Sequence, residues 1–251
     1  MKKLRKIISA LMVCSMLSSS TRGMDLNETQ QKTLAAVAVT AAVGIPLIVI
    51  LKKIFSNKGI KAFDKKEQTW IKLLMGEQID DKSFRFNSCN EFRTASNNDL
   101  EKYHDFIQAV FPNLEESKFA NEDLYLNKSL KKWQDLMQDL GIRLKIQQNL
   151  KLNLIRILTF FGFEVTLGDS SEIIKLKAKT DGVAFKPGNH NGLRLTRVLI
   201  CLKIFGLNRE HQLIIDSINS NKEIMKLVNG NSTLKTSYEF WLNSKKTACL
   251  F

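Results

Sequence analysis

Among the nine positions Asn189 to Arg197, the five amide, imidazole and guanidinium side chains are those that could do chemistry: Asn189, His190, Asn191, Arg194 and Arg197. Histidine carries a proton near neutral pH, and arginine presents a fork of donors that fits a carboxylate or phosphate. If this turn opens a helix, free backbone N–H groups and the positive dipole end also favour an anion. A carboxylate, a phosphate or a peptide C-terminus is therefore one occupant. The same groups would equally serve to cap the helix and lock it to a neighbour. A second pair, His104 and Gln108, lies four residues apart and would share one helix face, contacting either a ligand or a nearby backbone.

Other catalytic patterns are missing. The three histidines, His104, His190 and His211, form no His-x3-His pair, and the four cysteines form no Cys-x2-Cys pair, so no built-in metal site is expected. No glycine-rich phosphate loop, dinucleotide fingerprint or nucleophile elbow occurs. The reading is accordingly non-enzymatic and without a cofactor. The alternative is an uncharacterised enzyme or anion-binding domain built on the Asn-His-Asn turn and Arg194.

Several elements must hold these residues. Pro187 and Gly188 break the preceding chain, Asn189 or Asn191 can cap a new helix, and Gly206 can stop it. Leu195, Val198, Leu199, Leu202 and Phe205 recur at helical spacing along one face, with Arg194, Arg197 and Lys203 on the opposite side or its edges. For His104 and Gln108 the sequence predicts a helix capped by Asn98 or Asp99, with Leu100, Tyr103, Ile107 and Val110 or Phe111 as its stripe and Pro112 past its end.

Further helices are expected over Asp64 to Met75, ended by Gly76, over Asn121 to Leu140, stopped by Gly141, and over Gln148 to Phe161, which is apolar nearly all round. Two more are expected over Asn208 to Val228, interrupted near Asn219 to Asn221, and over Thr236 to Asn243. Asp80 to Thr94 reads as irregular chain packed by Phe84, Phe86 and Phe92. Between Gly162 and Lys186 the period changes, and Glu164 to Leu167 with Ile173 to Lys177 fits a small hairpin standing as an exposed insertion. The fold class is all-α: a single helical bundle with that hairpin, preceded by a signal or transmembrane segment.

Two stretches carry a resemblance. Pro-Gly-Asn-His-Asn-x-Leu-Arg-Leu-Thr-Arg at 187–197, followed by Gly206-Leu207, is similar to the signature of the opioid growth factor receptor conserved-domain family. His104-Asp105-Phe106-Ile107-Gln108-Ala109-Val110-Phe111-Pro112 resembles that family's His-x-Tyr-Ile-Gln-Trp-Leu-Phe-Pro block, with Ala109 in the place of tryptophan. The likeness covers roughly residues 75–246. Because one vertebrate member binds an opioid peptide, the resemblance implies a receptor-like role with a peptide or protein ligand.

The N-terminus suggests membrane attachment. Lys2, Lys3, Arg5 and Lys6 precede the apolar run Ile7 to Leu17, so residues 1–23 read as a signal peptide or signal anchor. Leu34 to Leu51 carries no charge over eighteen residues, enough at 1.5 Å per residue to span most of a roughly 30 Å hydrocarbon core, and residues 34–55 read as a transmembrane helix. Lys52, Lys53, Lys58, Lys61, Lys65 and Lys66 follow the uncharged run, so the C-terminal domain is expected in the cytoplasm, behind a single span or a two-helix hairpin. The chain thus reads as a bacterial-type, anchored member of the family. Eight of the 38 Lys and Arg residues, against two of the 25 acids, lie in residues 1–55, so about half of the +13 net charge is topology signal. The remaining excess can rest on anionic headgroups at about 1 kcal/mol per basic residue. Nucleic-acid binding is not expected, because no aromatic-interleaved basic groove is visible.

Overall fold

The computed structural model describes residues 59–116, 124–168 and 172–251. They are mostly helical, with one two-stranded antiparallel sheet. Helix α1 (Lys65–Leu74) begins in a capping box, where Asp64 accepts from the Glu67 N–H and Glu67 reaches back to the Asp64 N–H. It buries Trp70, Ile71, Leu73 and Leu74. The stretch expected to be irregular contains a short helix, α2 (Cys89–Thr94), because Ser88 caps it by accepting from the Glu91 N–H.

The single helix expected over the His104 block is two helices. α3 (Asn97–Lys102) is capped by Ser96, with Asp99 at its third position, so Asn98 and Asp99 lie inside the helix and do not cap it. The chain then turns extended at Tyr103 (φ −97°, ψ 131°) before α4 (Phe106–Val110). A 3-10 turn at Leu126–Ser129 leads into α5 (Leu130–Met137), and α6 (Leu140–Phe161) follows at once. Gly141 does not stop a helix. It sits in the first turn of α6, where Asp139 accepts from the Gly141 and Ile142 N–H groups, so the helix expected from Gln148 starts two turns earlier.

Helix α6 is buried on one side through Ile142, Ile146, Leu150, Leu154, Ile157, Leu158 and Phe161. Along another side it carries a polar row. Asn149 and Asn153 accept from Arg93, while Arg156 donates to the Ala95 carbonyl and to Asn97, tying α6 to α2 and the start of α3. Gly162 ends the helix at φ 97°.

Strands β1 (Phe163–Leu167) and β2 (Ile173–Ala178) pair with Phe163 opposite Ala178 and Val165 opposite Leu176. The hairpin is only partly an exposed insertion. Its base is buried at Phe163 and Ala178, with Ala178 held at both backbone groups by Ser217 and Asn221, and near the tip Ile173 is buried as well, whereas Leu167 and Ile174 there face outward.

Helices α7 (Asn191–Ile204), α8 (Asn208–Asn219), α9 (Lys222–Gly230) and α10 (Ser232–Asn243) complete the fold, the break between α8 and α9 falling where Asn221 caps the latter. Leu195, Val198, Leu199, Leu202 and Phe205 are all fully buried. At the end of α7, Gly206 (φ 69°) donates to the Lys203 carbonyl and Leu207 to the Leu202 carbonyl, a Schellman closure that needs the left-handed glycine. Helices α6 and α7 sit at the centre: α6 packs on α1, α2, α5 and β1, and α7 on α4, α6, α8 and α10. Among the described residues no helix is long and apolar enough to cross a membrane. The expected signal and span, residues 1–23 and 34–55, lie outside the described residues.

Candidate functional site

The start of α7 meets the corner between α3 and α4. Arg194, expected on the polar side of its helix, is instead 4% exposed and points into that corner. One terminal nitrogen donates to the Leu100 carbonyl (2.8 Å) and to Asn191 Oδ1 (2.9 Å), the other to the Tyr103 carbonyl (2.7 Å) and to His104 Nδ1 (3.1 Å). Its guanidinium carbon also lies 5.3 Å from the centre of the Phe106 ring. The extended backbone at Tyr103 frees carbonyls that a continuous helix would have used, and Arg194 supplies their donors. A cation at the C-terminal end of α3 also has the favourable dipole sign. All four terminal N–H bonds are thereby committed within the protein.

Asn191, fully buried, donates from Nδ2 to Glu101 Oε2 (2.9 Å). Asn189 Oδ1 accepts from the Asn191 N–H (2.8 Å), so the loop residue Asn189 supplies the side-chain oxygen at the opening of the helix while Asn191 reaches across to α3. The first donors of α7 are largely taken: Gly192 N–H goes to the Asn189 carbonyl, and Leu193 and Arg194 N–H to the His190 carbonyl. Helix start and arginine together are built as a lock more than as an open anion cradle.

The two histidines do meet. The His104 and His190 rings are edge to face at 4.5 Å between centroids. Arginine can only donate, so His104 Nδ1 accepts and the neutral ring carries its proton on Nε2. That tautomer withholds the Nε2 lone pair a metal would need, and among the described residues no group of three or more His, Cys, Asp or Glu is placed to hold a metal ion. His190 Nε2 is buried without a hydrogen-bond partner, 3.7 Å from Glu101 Oε1. Burial, then the Arg194 charge, hold the His190 imidazole below its ordinary pKa; Glu101 pulls the other way and His104 adds to the depression.

Gln108 and Arg197 are not brought into this cluster. Because the helix breaks at Tyr103, His104 and Gln108 share no face; His104 is exposed, whereas Gln108 is fully buried and donates to the Leu124 carbonyl. Arg197, half-buried, has one terminal nitrogen buried without a partner, and Glu115 is the charge that opposes the lowering of its pKa by burial. The remaining histidine, His211, is a core residue hydrogen-bonded to Ser244.

Beside the lock runs an open groove of about 470 Å3 between the start of α7 and α10, lined by Asn189, His190, Leu193, Thr236, Ser237 and Phe240 among others. Leu193 and Phe240, 54% and 50% exposed, stand at it as bare apolar side chains. The sequence reading missed both. Leu193 was legible as an apolar residue off the buried face of α7, while Phe240 reads locally as one more core aromatic. Glu101 as the partner of Asn191, and the carbonyls of Leu100 and Tyr103 as partners of Arg194, carry no sequence signal.

No curated protein and no solved structure matched the chain. The family comparison did match, over residues 78–246, close to the extent of the resemblance and containing both the His104 block and the Asn189 turn. The chain belongs to the family defined by the opioid growth factor receptor (OGFr) conserved region.

Proposed function

We propose that this chain is a membrane-anchored, non-enzymatic receptor-like or scaffold module that takes a peptide or protein ligand in the groove between α7 and α10. The observation that carries the reading is the pair of exposed apolar side chains, Leu193 and Phe240, beside a groove whose other walls are hydroxyl, amide and imidazole groups. Such a surface suits one apolar side chain of a peptide with its backbone polar groups alongside. Family membership supports the class of ligand, and an opioid peptide is one defined probe within it. The commitment of all four terminal N–H bonds of Arg194 to internal partners weighs against the anion-binding and catalytic alternative.

The test is selection of a displayed random-peptide library, with an opioid peptide added, on the full-length chain in detergent. Enriched peptides are expected to bind the wild type and to lose binding to the Leu193→Ser, Phe240→Ser double variant at unchanged Tm. Absence of enrichment over bare support, or equal binding to the double variant, overturns the groove as the ligand site.

A further inference from the structure

The turn that opens the described domain rests on α5. A Cβ on Gly59 would lie 3.3 Å from Leu136 Cδ1, and the Phe63 and Trp133 rings meet edge to face at 5.3 Å. This contact gathers lysines from two stretches more than sixty residues apart. Lys128 Nζ is 3.1 Å from Asp64 Oδ2, Lys132 Nζ is 5.8 Å from the centre of the Phe63 ring, and Lys61, Lys65, Lys131 and Lys132 are exposed. The acids among them are few: Asp64 pairs with Lys128, Asp135 pairs with Lys131, and Asp81 lies within the field of Lys65 and Lys66. A net positive face results.

Chain length bears on what that face meets. The expected span ends at residue 55, four residues before Gly59, so the chain that enters this face comes directly from the expected anchor. Lys52 and Lys53 at the end of the expected span and Lys58 after it extend the same charge in the sequence. We infer that the face made by the Gly59–Phe63 turn and the start of α5 docks on an anionic phospholipid surface, with Lys61, Lys128, Lys131 and Lys132 toward the headgroups. The inference rests on the anchoring part of the proposed function. It adds an orientation, with α5 toward the bilayer, that the tether alone would not impose.

The experiment uses the full-length chain in nanodiscs of phosphatidylcholine, with and without phosphatidylglycerol, footprinted by lysine acetylation and mass spectrometry; resistance to alkaline extraction from vesicles of the same lipids is measured in parallel. Expected is roughly fivefold less labelling of Lys61, Lys131 and Lys132 in the anionic discs, reversed by high salt, with Lys175 and Lys222 labelled equally in both. In the Lys128→Glu, Lys131→Glu, Lys132→Glu variant the shielding of Lys61 should be lost. If the chain resists extraction and the α5 lysines label equally in both discs, the docking face is wrong and the anchor stands. If the chain is extracted yet those lysines are shielded by anionic lipid at neutral pH, the anchor reading fails and the face stands. Extraction together with lipid-independent labelling overturns both.

Discussion

Arg194 satisfies two backbone carbonyls, one amide oxygen and one imidazole nitrogen at a point where the chain leaves a helix. Replacing it with methionine would keep much of the apolar stem but take the donors from the buried Leu100 carbonyl and the half-buried Tyr103 carbonyl, at a cost of about 3 kcal/mol. Lysine should recover little, because one ammonium on a flexible stem cannot reproduce a planar fork that spans both carbonyls. His104→Ala, by contrast, removes an exposed ring that supplies one acceptor, and should cost well under about 1 kcal/mol. Thermal unfolding of the three variants in one detergent tests this ordering. An Arg194→Met protein that melts with the wild type would show that the lock does not hold the corner.

At the scale of elements, boundaries decide the fold, and they were the least legible part of it. Buried stripes such as Leu195, Val198, Leu199 and Leu202 follow from periodicity, and the stop at Gly206 follows from its left-handed backbone. Gly141 misleads as a stop because the deciding residue is Asp139, whose carboxylate takes two N–H groups and starts α6 just before the glycine. The break at Tyr103 was invisible for a different reason: the donors that stabilise it come from Arg194, ninety residues away, and no local pattern records them. Asp139→Ala should therefore lower stability by about 1 kcal/mol, the usual cost of losing such a cap. Gly162→Ala should cost more, because the residue sits at φ 97° and its new Cβ would lie 2.2 Å from the Gly182 Cα, forcing the α6–β1 junction apart. Denaturant melts of both variants check the order; an Asp139→Ala effect exceeding that of Gly162→Ala would contradict it.

For the molecule as a whole, the histidine outside the candidate site is expected to set much of the acid sensitivity. His211, 3% exposed on α8, hydrogen-bonds through Nε2 to Ser244 Oγ, and Ser244 in turn donates to the Trp241 carbonyl, so the ring joins α8 to the end of α10. Burial, reinforced by the Lys203 charge, lowers its pKa to about 4. Between pH 6.5 and about 4 the unfolded chain holds a proton on this ring that the folded chain lacks, so stability falls as pH falls through that window. Over the step from pH 7.5 to 5 the expected loss is about 2 kcal/mol from this group alone. His190, shifted in the same direction but partly exposed, contributes less because solvent screens it. A His211→Gln variant keeps a side-chain donor for Ser244 but does not titrate. It should start below the wild type at pH 7.5 and lose far less stability on going to pH 5, so that the two melting curves converge in acid. Parallel pH profiles for the two proteins would instead place the acid sensitivity elsewhere, with the carboxylates whose pKa values are lowered, Asp64, Asp81 and Glu164, predicting a loss confined to lower pH.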